Sequence, residues 1–210
     1  MRKEHFFTGA ALVAIIVMIY LVVNLETLFP LPSEQETVAR LSQLDNVSKQ
    51  ERGTNASATV LVEEFSDFEC PYCKNAVGMV SQLHTLYGDK INFVYKHAPL
   101  TSVHPNAKAA AEAAECARDQ EKFWAYHDKL FENQNALDES SLKTYAVQLQ
   151  LDPEQFNECF ENHEKAFVVE ADMNEALRRG VQGTPTFFIN NKKVLGADFD
   201  QIKKEVEEAS

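Results

Sequence analysis

The chain has 210 residues, 45% of them hydrophobic, which is enough for one medium-sized core beyond a short N-terminal appendage. Seven Gly, seven Pro and no internal repeat exclude low-complexity, collagenous and solenoid architectures. The net charge is −12, and because Arg2 and Lys3 lie at the extreme N-terminus the body is more acidic still, which disfavours binding to nucleic acid.

No charged residue occurs from Phe6 to Leu25. Twenty helical residues span about 30 Å, the thickness of a bilayer's hydrocarbon core, so residues 6–25 are expected to form an N-terminal transmembrane helix. A cleaved signal peptide is the rival reading, but Val22, Val23, Asn24, Leu25 and Glu26 offer no small-x-small site, and no cysteine precedes Cys70 to carry a lipid. Arg2 and Lys3 flank one end, and the next basic residue is Arg40. Residues 1–5 are therefore expected in the cytoplasm and the body outside the cell membrane.

Residues 26–57 read as a linker. Pro30 and Pro32 punctuate it, and Ser33 with Glu36 marks the start of a short helix carrying Val38, Leu41, Leu44 and Val47, ended by Gly53 to Ser57. From residue 58 to 210 the pattern is that of an α/β domain. Thr59 to Phe65 is a β-favouring run of the kind buried on both faces of a sheet. Cys70 to Tyr87 is expected to be a helix: Pro71 suits its first turn, Tyr72, Ala76, Met79, Val80, Leu83 and Tyr87 recur at helical spacing, and Gly88 stops it. Ile91 to Lys96 is a second strand.

Residues 102–179 lack a convincing strand and read as an inserted helical subdomain. One helix follows Pro105, another holds Phe123, Trp124 and Leu130, and Asp152 with Pro153 caps a third. Phe123, Trp124, Tyr126 and His127 are assigned to the core, not to a binding groove. Gly180 and Gly183 end the insertion. Thr186 to Ile189 and Lys193 to Leu195 then form a hairpin about Asn190-Asn191, and a last helix carries Phe199, Ile202 and Val206 behind Asp198 and Gln201.

Four cysteines occur, at positions 70, 73, 116 and 159. Residues i and i+3 at a helix start share a face, so Cys70 and Cys73 can form a disulfide without unwinding the helix. At the helix cap, unpaired N–H groups and the positive dipole end favour a Cys70 thiolate, which makes it the nucleophile. Cys73, one turn inside, is the shielded resolving thiol. Half of a metal site is the alternative, but no second Cys or His pair stands at ligand spacing. Cys116 and Cys159 read either as buried thiols or, in an oxidising compartment, as a structural disulfide, which is the expectation outside the membrane.

From Thr59 to about Val206 the sequence resembles the DsbA-like branch of the thioredoxin superfamily. The resemblance rests on Glu64-Phe65-Ser66-Asp67-Phe68-Glu69-Cys70-Pro71-Tyr72-Cys73, on the helical insertion, and on Gly183-Thr184-Pro185-Thr186-Phe187. It implies a thioredoxin fold, no metal or organic cofactor, and disulfide exchange with protein thiols. It further implies that Pro185 is cis and lies against Cys70 and Cys73, that Thr184 pairs with a substrate backbone, and that Glu64 is a buried acid assisting proton movement. Alternation places Glu63 and Glu64 on opposite strand faces, leaving open whether one is buried near Cys73 or both are exposed. Lys96 is a possible partner for a buried Glu64.

The direction implied is oxidation of secreted or envelope proteins, with a quinone-linked membrane protein as reoxidant. Tyr72 and Thr184 depart from the His and Val of the best-known oxidases, so a reductase or isomerase of the same fold is the second reading. A metal-carrying envelope module using Cys70 and Cys73 as ligands is the third.

Overall fold

A sheet of five strands carries the described residues, which are 50–52 and 58–210 of a computed structural model and belong to one unit, Leu44–Ser210. In chain order the strands are β1 (Gln50–Arg52), β2 (Val60–Ser66), β3 (Ile91–His97), β4 (Thr186–Ile189) and β5 (Lys192–Leu195), arranged spatially as β1-β3-β2-β4-β5. The expected transmembrane helix and the helix after Ser33 lie outside the described residues. Among the described residues, no helix is long and apolar enough to cross a membrane.

β2 and β3 are parallel, which requires a crossover, and helix α1 (Pro71–Tyr87) supplies it. Every other pairing is antiparallel. β2 is central, and all its residues except Leu61 are buried. The turn between β4 and β5 needs positive φ at both central residues, and Asn190 (43°) and Asn191 (73°) provide it.

The strand period of two sorts side chains into two cores. Val62, Phe93, Tyr95, Phe187 and Ile189 face α1, α3 (Phe123–Glu132) and the final helix α7 (Phe199–Ala209) through Ala76, Val80, Leu83, Phe123, Ile202 and Val206. The opposite face carries Phe65 and Phe188, in edge contact at 5.6 Å, against Ala176 of α6 (Ala166–Arg178).

That sorting corrects the proposed Lys96 pairing. Register sets Phe65 beside Lys96 and Glu64 beside Tyr95, so Lys96 is on the face opposite Glu64. It contacts Glu175 at 2.6 Å and Glu63 at 3.9 Å instead. Both Glu63 and Glu64 are buried, because the central strand is covered on both sides. Glu63 is held by Arg179 at 2.9 Å.

The insertion comprises α2 (Ala107–Arg118), α3, α4 (Glu139–Gln148), α5 (Pro153–Glu161) and α6. Six buried alanines of α2 let its neighbours approach closely. Asp152 accepts from the N–H groups of Glu154 and Gln155 to open α5, and Asp138 does the same for α4 with Ser140 and Ser141. Cys116 of α2 and Cys159 of α5 form a disulfide with a Cα–Cα distance of 5.9 Å. Their sequence separation is 43, and the entropy of closing such a loop predicts that Cys116→Ala with Cys159→Ala costs about 4 kcal/mol. Urea unfolding with and without the pair measures it; an unchanged midpoint contradicts the assignment of a stabilising role.

One strand was not expected. Gln50–Arg52 falls within the region read as linker, yet pairs antiparallel with Phe93–Tyr95. Its residues carry no β-favouring pattern. The open edge of β3 recruits their backbone, and a three-residue edge strand needs no apolar side.

Candidate active site

β2 delivers the chain to the site. After Ser66 the backbone turns through Asp67 and Phe68, with Cys70 N–H donating to the Asp67 carbonyl at 3.1 Å. Cys70 is the N-cap of α1 with φ −74° and ψ 121°, and Pro71 takes the first helical position, where the missing N–H costs nothing. The Cys70 carbonyl accepts from the N–H of Cys73 at 3.1 Å and of Lys74 at 3.2 Å. Gln134 reaches over from the insertion, its Nε2 donating at 2.8 Å to the carbonyls of both Phe68 and Cys70. The two cysteines therefore share one pinned helix start.

Cys70 and Cys73 are both free thiols. Cys73 is wholly buried, and its Sγ accepts the Asp67 N–H at 3.4 Å. Cys70 is less open than a helix cap suggests, at 4% exposure, because the loop from Gly183 to Thr186 lies against it. As a thiol its Sγ donates to the Thr184 carbonyl at 3.3 Å, and the Thr184–Pro185 bond is cis. Tyr72, by contrast, is 68% exposed.

The two thiols are driven apart in acidity. Cys70 is lowered to about 5, first by a hydrogen bond from the Cys73 thiol, with the Thr184 side chain and the N–H groups of Cys73 and Tyr72 adding to it against the cost of burial. Cys73 moves up, first because it is buried, then because its thiol donates a hydrogen bond to Cys70 and lies in the field of Glu64. Burial raises the Glu64 carboxyl to about 8. At neutral pH the arrangement is thus a Cys70 thiolate, a Cys73 thiol and a mainly protonated Glu64 on the Cys73 side of β2.

Two recesses flank Cys70. A groove of about 530 Å³ runs between α1 and the β4–β5 hairpin, lined by Tyr72, Asn75, Thr184, Pro185, Leu195 and Ala197. On the other side a smaller recess of about 300 Å³ is lined by Glu69, Pro71, His104, Asn106, Gln134 and Leu137. The structure thus brings Glu64, Cys70, Pro71, Tyr72, Cys73, Thr184 and Pro185 together, and places Cys116 and Cys159 in the insertion.

Sequence reasoning missed Asp67, His104 and Gln134. Asp67 had a legible signal: its Oδ1 accepts the Glu69 N–H at 2.8 Å, the turn that an Asp favours with the residue two positions on, here three positions before the helix cap. His104 and Gln134 act across long separations and had none. His127, assigned to the core, is packed among Phe68, Tyr95, Trp124 and Phe131. Among the described residues, no group of three or more His, Cys, Asp or Glu is placed to hold a metal ion.

A parallel β-α-β unit with an adjoining hairpin, a dithiol at the cap of the crossover helix and a cis proline beside it together define a protein of thioredoxin architecture. Residues 50–208 match the family described as Thioredoxin, and the chain belongs to that family. A thioredoxin-like oxidoreductase from Silicibacter pomeroyi DSS-3 is similar at 29% identity and a TM-score of 0.70, with 81% of this chain and 96% of that chain covered. BdbD from Bacillus subtilis is similar at 27% identity and a TM-score of 0.68, covering 77% and 92%. The thiol-disulfide exchange protein α-DsbA2 from Wolbachia pipientis shares the fold, with a TM-score of 0.68 at 23% identity.

Curated relatives are longer proteins. The chain is 44% identical over 140 residues to the Na(+)/H(+) antiporter NhaA 1 of Salinispora arenicola, a match covering 67% of this chain and 21% of that protein. For NhaA 1 of Mycobacterium sp. strain KMS the values are 35% over 167 residues, 79% and 27%. The chain thus spans only about a fifth to a quarter of the length of these relatives.

Proposed function

We propose that this chain is a membrane-anchored thiol-disulfide oxidoreductase that oxidises protein thiols outside the cell membrane. The observation that carries the reading is the asymmetry of the dithiol: an acidic Cys70 at the helix cap and a buried, protonated Cys73 behind it. In the oxidised protein a client thiolate attacks Cys70 Sγ, the Cys70–Cys73 bond breaks, and Cys73 leaves and takes up a proton. A second client thiolate attacks the mixed disulfide, forming the client disulfide and expelling Cys70 as a thiolate. Two electrons pass to the protein, and the free Cys70 and Cys73 of this structure correspond to its reduced product.

What stabilises that product supports the oxidising direction. A thiol lowered to about 5 is almost fully ionised at pH 7, and whatever favours the reduced form makes the disulfide a stronger oxidant. A potential of roughly −200 mV is expected, between the values of about −270 mV for thioredoxin and about −120 mV for DsbA. A quinone-linked membrane protein is the proposed reoxidant, and sharing a bilayer with it raises the encounter frequency. The uncharged segment 6–25 supports the anchor, and the resemblance to chains named as membrane antiporters fits a membrane setting.

Two measurements test the proposal. Equilibration with glutathione buffers gives the potential, and a value near about −270 mV replaces the oxidase reading with a reductase. Protease added to intact spheroplasts is expected to release a soluble domain retaining the dithiol; full protection contradicts the outward orientation.

A further inference from the structure

Cys70 is preceded by Glu69, whose carboxylate opposes a neighbouring thiolate. The structure answers this with a clasp between the β2–α1 turn and the loop after β3. Glu69 is turned onto that loop, Oε2 accepting the Asn106 N–H at 2.6 Å and Oε1 the Asn106 Nδ2 at 3.0 Å. Asp67, 2% exposed, grips the same loop: Oδ2 accepts the Leu100 N–H at 2.8 Å and lies 2.8 Å from His104 Nδ1. Asp67 also touches both thiol residues through its backbone, its N–H on Cys73 Sγ and its carbonyl on the Cys70 N–H.

We propose that His104 is a positioning residue of the dithiol: held by Asp67 in the recess beside Cys70, its imidazolium is the counter-charge of the Cys70 thiolate and offsets Glu69. The imidazole side chain is 20% exposed while Asp67 is sealed, so the ring exchanges its proton with solvent and keeps its anchor. The charged groups that act on it are Asp67, Cys70 and Glu69, all acidic, and the other side chains lining the recess carry no charge. Burial alone lowers the basicity of His104; the Asp67 hydrogen bond and the three negative charges outweigh it and leave the ring more basic than usual. A charged His104 stabilises the thiolate below its own raised pKa, and that support is lost as pH rises through it.

The inference rests on the dithiol reading, but the two fail separately. If Cys70 and Cys73 are not a working pair, no disulfide exchange with a reduced client occurs. If only the role of His104 is wrong, exchange persists and the titrations below do not move.

The direct test follows the His104 ring by NMR against pH in the dithiol and disulfide forms of the unmodified protein. Coupling between two charges is reciprocal, so the His104 midpoint is expected to fall by about one unit when oxidation removes the thiolate. Equal midpoints overturn the proposal, since a ring that merely fastens the loop does not sense the thiol. A second arm uses His104→Asn, whose amide can still donate to Asp67 but carries no charge. The pH midpoint of Cys70 alkylation by iodoacetamide is expected to rise by about one unit, and an unchanged midpoint in folded protein also overturns it. His104→Lys, which keeps a cation, is expected to restore the lower midpoint.

Discussion

Glu64→Gln is expected to make the protein more stable and a slower catalyst. In the unfolded chain the carboxyl titrates near its ordinary 4.5, whereas burial holds it at about 8 in the fold. Below about pH 4 both states carry the proton, and the substitution has little electrostatic effect. As pH rises, the unfolded chain ionises first, so stability falls by about 1.36 kcal/mol per pH unit until the folded group also ionises. By pH 8 the burden reaches about 4 kcal/mol, and glutamine, of the same shape but uncharged, removes it.

Cys70 has the opposite slope. Its lowered pKa makes the folded state ionise first, adding stability as pH rises above about 5 and losing it as pH falls back through that value. The two slopes oppose each other in the reduced protein, so the comparison belongs in the disulfide form, where Cys70 does not titrate. Urea midpoints of wild type and Glu64→Gln should diverge from pH 5 to pH 8 and meet below pH 4. Parallel curves would show that Glu64 is solvated. Above about pH 8, where Glu64 is ionised and can accept the Cys73 proton, glutamine cannot replace it, so resolution of a mixed disulfide should slow there on the order of a hundredfold, the scale of one lost proton-transfer group.

The second large effect is the contrast between the two cysteines. Cys70→Ser removes the sulfur that a client can reach and should reduce disulfide exchange to background. Cys73→Ser leaves Cys70 able to form a mixed disulfide but removes the buried thiol that resolves it, so trapped adducts should accumulate. Nonreducing electrophoresis of each variant incubated with a reduced, then oxidised, model client reads the difference. Equal trapping by both variants contradicts the assignment of roles.

Much of this was legible from local chemistry. Pro71 after a cap cysteine, the Asn190-Asn191 turn, and Asp152 before Pro153 each act within a few residues, and each stands where its physics requires. The site was legible where one stretch holds it: the turn from Glu64 to Cys73 is continuous in sequence. What was hidden depends on register and on distant partners. Alternation separates Glu63 from Glu64, but only the β2–β3 pairing reveals that Lys96 shares a face with Glu63. Gln50–Arg52 becomes a strand because an edge is available, not because its residues favour one. The clasp of Asp67 and Glu69 joins residues 33 and 37 positions apart, beyond any local pattern.

The most direct test of the whole account is alkylation of the reduced wild-type protein at a series of pH values, with the two cysteines resolved by mass spectrometry. The predicted result is that Cys70 reacts with a midpoint near about 5 while Cys73 stays unmodified throughout the neutral range. Equal rates at the two positions, or a Cys70 midpoint near the ordinary thiol value of 9.0, would contradict it.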